Sequence, residues 1–165
     1  MKLSCSYAQT ASTNDLTYQV TTTAQNFEIN QITSWATLEL KFFVDESFSV
    51  AIEEYEMDIG TRVYMQVSWN QTFGVNFPAE FYIDQCVVSD SDGNQFKVID
   101  GGCGAELVES HLLSPAYSQD LIRYRYNSFA FQEEQKIGEQ MVECNINFCL
   151  ISDSESGLCG FEECG

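Results

Sequence analysis

The chain has 165 residues, 44% hydrophobic and 13% aromatic, enough for one domain with its own core plus a flanking segment, and too apolar for a disordered chain. Its 25 acidic against 7 basic residues give a formal charge of −18. Such a surface repels phosphate backbones and anionic lipid headgroups, so nucleic acid and peripheral membrane are set aside as partners.

Residues 1–7, MKLSCSY, read as the end of a strand, and the next segment, from Ala8 to about Ser34, is rich in Thr, Ser, Gln and Asn. There Leu16, Tyr18 and Val20 alternate with polar residues, which predicts a linker with one or two extended stretches. Strand patterns follow. Leu38, Leu40, Phe42 and Val44 fall on one face of TLELKFFV, Phe48, Val50 and Ile52 on one face of FSVAI, and Val63, Met65, Val67 and Trp69 on one face of RVYMQVSW. Asp45-Glu46-Ser47 connects the first two, and Asp58-Ile59-Gly60 turns the chain into the third. Phe81 and Ile83 alternate toward Cys86, SDSDGN turns the chain, and Phe96 and Val98 resume the pattern, which predicts a hairpin ending in a sharp turn at Asp100-Gly101-Gly102.

Gly104 to Gln119 carries Pro115 and has no clean period, so a loop is expected, with a helical turn between Glu106 and Leu113. From Arg123 to Phe131 the aromatic parity shifts between Tyr124/Tyr126 and Phe129/Phe131, which predicts a bulge or a strand buried on both faces. Val142, Cys144, Ile146 and Phe148 share one face of the last strand. About eight short strands with frequent turn signals and hardly any helix predict an all-β, antiparallel, immunoglobulin-like sandwich.

Of the seven cysteines, six lie after residue 85, a distribution that fits an oxidising compartment. Zinc is the competing reading, but Cys144/Cys149 and Cys159/Cys164 are spaced more widely than most zinc knuckles and His111 is the only histidine. Disulfides are therefore favoured. Cys5 is the odd one, with either an absent partner or a free thiol. No hydrophobic leader follows Met1 and no apolar run reaches membrane-spanning length, so the expectation is an internal piece of a longer precursor.

Catalytic motifs are missing, and His111 has no designated partner. No catalytic residue, metal or cofactor is implied. Asp90, Asp92 and Asn94 resemble the start of a calcium loop, but Gly101 stands where a bidentate Glu belongs, so a plain turn is expected. Asn70-Gln71-Thr72 is an N-glycosylation acceptor sequence.

The order FYIDQC, KVIDGGC, RYRYNSFAF, MVECNINFC and a cysteine-rich tail resembles the C-terminal half of a zona pellucida (ZP) domain, the polymerisation module of egg-coat and related extracellular proteins. LSCSY resembles the closing strand of that family's N-terminal half. The resemblance implies three parts: residues 1–7 as the last strand of a truncated first half, 8–36 as the interdomain linker, and 37–165 as the ZP-C domain. It implies a non-catalytic structural role in extracellular filaments or matrix, with other ZP-domain subunits as partners in a homo- or hetero-polymer. Membrane attachment would come only through an anchor outside this chain. The alternative is an ectodomain module of a cell-surface receptor or co-receptor. A uromodulin-type pattern further implies Cys86 paired with Cys144 as a staple across the sandwich core, Cys103 with Cys164, and Cys149 with Cys159. Cys5 is then unpaired, its family partner lying upstream. With its strand partner absent, the linker from Leu16 to Ile32 is expected to be loosely held.

Overall fold

Alternation of apolar and polar residues at a period of two builds most of this protein, because each strand needs one face for the core and one for water. The computed structural model describes residues 2–10, 15–19, 21–22, 25–28, 35–52, 54–71, 79–90, 92–131, 137–150 and 164. The strands are β1 (Lys2–Thr10), β2 (Asp15–Gln19), β3 (Thr21–Thr22), β4 (Gln25–Glu28), β5 (Trp35–Phe43), β6 (Glu54–Asp58) and β7 (Arg62–Gln71). They continue with β8 (Ala79–Ser89), β9 (Gln95–Asp100), β10 (Cys103–Gly104), β11 (His111–Leu112), β12 (Leu121–Asn127) and β13 (Ile137–Leu150).

Two antiparallel sheets form the sandwich. One has the order β10-β9-β8-β13-β1-β3 and the other β11-β12-β7-β5-β4, while β2 and β6 pair separately. Leu38, Leu40 and Phe42 of β5, Val63, Met65 and Val67 of β7, and Ile122, Tyr124 and Tyr126 of β12 form one wall of the core. Phe81, Ile83 and Val88 of β8, Val98 and Ile99 of β9, and Val142, Cys144 and Ile146 of β13 form the other. Trp69 lies edge-on between Phe81 and Phe148, with ring centroids 6.0 and 5.2 Å away, and closes one end.

Several expectations need correction. FSVAI is not a strand: Phe48 has φ 55°, Val50 is 53% exposed, and only Ile52 turns into the core. Asp45 explains the difference, because its carboxylate accepts hydrogen bonds from Ser49 N at 3.2 Å, Val50 N at 2.7 Å and Ser49 Oγ at 2.7 Å, and from Ser47 Oγ. Those bonds wind the segment into a loop. The parity change after Tyr126 is no bulge either, since β12 keeps strict alternation and ends at Asn127. The bulges lie elsewhere, where the β8 register shifts against β13 between Asn145 and Ile146 and against β9 between Cys86 and Val87.

The segment expected as an unpartnered linker contributes paired strands: β2 lies against β6, β3 against β1, and β4 against β5. Open sheet edges supply the reason. Their free N–H and C=O groups take any extended main chain, so a polar composition does not prevent pairing. Residues 11–14, Val20, 23–24 and 29–34, also within that linker, lie outside the described residues.

The turns follow the sequence closely. Gly93 at φ 86° closes the β8–β9 hairpin, where Asp90 accepts from Asp92 N at 3.0 Å, Asn94 N at 2.8 Å and Asn94 Nδ2 at 2.8 Å. Burial pushes the Asp90 carboxyl up, but these hydrogen bonds outweigh it and hold the group below its ordinary value. Asp90, Asp92 and Asn94 belong to a turn, as expected. The helical turn between Glu106 and Leu113 shortens to a 3-10 turn at Glu106–Val108, ended by Glu109 at φ 49°.

Gly104 faces the return of that turn so closely that a Cβ would stand 2.0 Å from the Ser110 carbonyl oxygen. The two nearest atoms, the Ser110 carbonyl oxygen and carbon, belong to backbone, so the strain cannot be relieved by a rotamer change alone. Gly104→Ala is expected to cost about 2–3 kcal/mol. A shift of the urea midpoint with unchanged slope is the check.

Candidate functional site

β13 is the longest strand and has a neighbour on each side. It pairs with β8 from Met141↔Ser89 to Leu150↔Ala79 and with β1 from Lys2↔Asn145 to Thr10↔Ile137. Its apolar parity, Val142, Cys144 and Ile146, fixes which face looks inward, so a one-residue slip would expose all three. This edge, with the cysteines around it, is the candidate site.

Cys86 of β8 and Cys144 of β13 are direct register partners, fully buried, and joined to each other with Cα atoms 4.1 Å apart. The bridge therefore ties neighbours within one sheet. It does not staple the two sheets, because directly opposed residues of an antiparallel pair bring their Cβ atoms together on one face.

Cys103 is placed by the turn before it. Gly101 and Gly102 take φ 59° and 81°, conformations that favour residues without a Cβ, and reverse the chain from β9 into β10. The Tyr124 hydroxyl crosses the core from the other sheet and donates to the Gly102 carbonyl at 2.6 Å. Burial pushes the Tyr124 phenol well above its ordinary pKa, so it stays a donor at every physiological pH. Cys103 is bonded to Cys164, with Cα atoms 5.4 Å apart, so the end of the chain is tied to this turn. Cys149, at the far end of β13, is disulfide-bonded as well. Cys159 lies outside the described residues. With Cys86, Cys103, Cys144, Cys149 and Cys164 all in disulfides, none of these thiols is left for a zinc ion.

The other singled-out residues stay apart from this edge. The Cys5 backbone lies opposite Val142 in β1, and its side chain falls outside the described residues. Asn70 sits near the end of β7 opposite Thr37, and its side chain is likewise outside the description. His111 is exposed on the short β11, opposite Arg125.

One constellation escaped the sequence reading. The Asp45 loop carries Phe48 over the outer surface of the second sheet, 5.4 Å from Phe43 and 5.6 Å from Tyr64 between ring centroids. The Arg123 guanidinium lies 4.1 Å from the centre of the Phe48 ring. Hydrogen bonds from Ser47, Ser49 and the Val50 N–H hold the Asp45 carboxyl well below the usual carboxylate range. The spacing D-x-S-x-S was the available signal, since Asp and Ser side chains capture nearby backbone N–H groups and compete with strand pairing.

Fold and cysteines together define a disulfide-tied, immunoglobulin-like β-sandwich module. The zona pellucida family model for the ZP-C domain matches residues 33–160, well over half of the chain, and the chain belongs to that family. It is a family of extracellular, structural modules. No curated protein matches the chain. Among the described residues no helix is long and apolar enough to cross a membrane.

Proposed function

We propose that this chain is a polymerisation module of extracellular filaments or matrix that catalyses no reaction, assembling with other ZP-domain subunits through exchange of β1. The observation that carries the reading is the nine-residue ladder between β1 and β13. β1 comes from residues that precede the family match at 33–160, yet it covers the β13 edge of the matched domain. A strand from outside a domain that satisfies the domain's open edge is interchangeable with the same strand from a neighbour, because main-chain pairing is the same in both cases. In this reading residues 1–7 belong by descent to a first half, 8–36 form the connection, and 37–165 form the assembling domain.

A chain lacking residues 1–12 tests this. It is expected to bind a synthetic peptide of residues 1–12, with antiparallel pairing to β13 by paramagnetic labelling, and to be displaced from that peptide by the full chain. A truncated chain that ignores the peptide while remaining folded would contradict the reading.

The remaining disulfide is proposed to join Cys149 to Cys159. Cys5 lies opposite Val142, seven residues along β13 from Cys149 and so about 24 Å away, beyond disulfide reach. The loop closed by Cys149 and Cys159 is short, with Ser, Asp and Gly to turn it, so its entropic cost is small. Cys5 then stays unpaired in this chain. Peptide mapping without reduction is expected to recover a fragment holding both cysteines, and recovery of Cys149 linked to Cys5 would sink the assignment. Asn70 is proposed as a glycosylation acceptor in the secreted protein.

A further inference from the structure

Positive charge is scarce in this chain, and its placement is uneven. Among the described side chains, Lys41 of β5, Arg62 of β7, and Arg123 and Arg125 of β12 all lie on the outer face of the second sheet. Their neighbours Phe42, Val63, Ile122 and Tyr124 fill the core on the opposite parity. Register sets them in adjacent rows: Lys41–Gln66–Arg123, then Phe43–Tyr64–Arg125, then Arg62–Asn127. The exposed His111 extends the middle row through its pairing with Arg125. The described acids beside these cations are Glu39, 3.0 Å from Lys41, Glu109, which accepts from Asn127 Nδ2 at 3.0 Å, and Asp45 in the loop that lies over this face, so the cations are in slight excess. Phe48 and Arg123 lie in the middle of the face.

The first sheet shows the opposite sign on its own outer face. Glu80 and Asp84 of β8, Asp100 of β9 and Glu143 of β13 stand outside a core of Phe81, Ile83, Ile99, Val142 and Cys144. The described cation there is Lys97, bridged to Asp100 at 3.0 Å. Because the two sheets pack by their inner faces, the basic and acidic faces look in opposite directions.

We infer that the basic face of one copy docks on the acidic face of a neighbouring copy. This rests on the polymerisation reading, which supplies the neighbour: strand exchange holds two copies together and raises the effective concentration of any further contact. The contact joins different patches of two identical molecules, so it is heterologous, and with the two faces looking in opposite directions it stacks copies one on the next. Charge complementarity fixes its register and suppresses other pairings, since basic-to-basic and acidic-to-acidic approaches are both repelled. A long polyanion is the poorer occupant, because it would engage the basic face alone, whereas a neighbouring copy gives a partner to the basic and the acidic face alike.

A charge swap on the full chain tests the inference. One variant carries Lys41→Glu with Arg62→Glu, the other Glu80→Lys with Glu143→Lys, all four at solvent-facing positions away from the core. Sedimentation equilibrium at physiological ionic strength is expected to show weak reversible association of the unaltered chain. Each variant alone should lose at least tenfold in association constant, and an equimolar mixture should regain it. Unchanged association of either variant, or a mixture that regains nothing, would overturn the inference. So would an unaltered chain that stays monomeric while binding a sulfated polysaccharide through Lys41 and Arg62. Adding the truncated chain and the 1–12 peptide in the same experiment separates the two readings. Peptide capture with no charge-swap rescue rejects the face-to-face contact alone, whereas loss of both rejects the polymerisation reading with it.

Discussion

Every main-chain N–H and C=O of a buried strand has to be paired, and β13 meets that demand on both of its edges with partners of different kinds. On one side β8 is joined to it by a long ladder and by the Cys86–Cys144 bridge. On the other side β1 is joined to it by a ladder without a disulfide to it among the described cysteines. A bridge of the first sort contributes about 2–4 kcal/mol by restricting the unfolded chain, and it also prevents β8 and β13 from sliding past each other. Among the described disulfides none reaches β1. The core wall and the turn that presents Cys103 build on a fixed β8–β13 pair, whereas β1 is the neighbour proposed to exchange.

The sequence showed the core more clearly than the edges. Leu38, Leu40 and Phe42, Val63 to Trp69, and Val142 to Ile146 were legible as inward faces because burial imposes a strict period of two, and all of them are in the core. The immunoglobulin-like sandwich and its disulfide-rich character were legible for the same reason, together with the cysteine order. Pairing partners were not. Main-chain hydrogen bonds leave little trace in side chains, so the Thr- and Gln-rich stretch before residue 36 read as an unpartnered linker although β2, β3 and β4 are all paired. FSVAI misled in another way: its alternation was real, but Asp45 bonded the local backbone first. The Cys86–Cys144 bridge was legible only through family resemblance, and its place within one sheet depended on a register that spacing alone does not carry.

Charge adds a second level of organisation over the same framework. Strand parity decides which residues face out, and register then gathers Lys41, Arg62, Arg123 and Arg125 on one sheet while Glu80, Asp84 and Glu143 face out from the other. A one-dimensional count of 7 against 25 conceals that arrangement. Family membership supplies an extracellular structural module, and the proposed strand exchange and face-to-face contact would both act on that framework.

The separability of β1 is the claim on which this account turns, and amide hydrogen exchange along β13 measures it residue by residue. In an antiparallel strand successive amides point to alternate neighbours, so from Met141 to Asn145 one set is bonded toward β8 and the other toward β1. The account predicts two alternating classes: slow exchange toward β8 at the rate of global unfolding, and intermediate exchange toward β1 at the rate of β1 itself. Equal, globally limited protection of both classes would contradict an exchangeable strand, and no protection toward β1 would contradict the pairing.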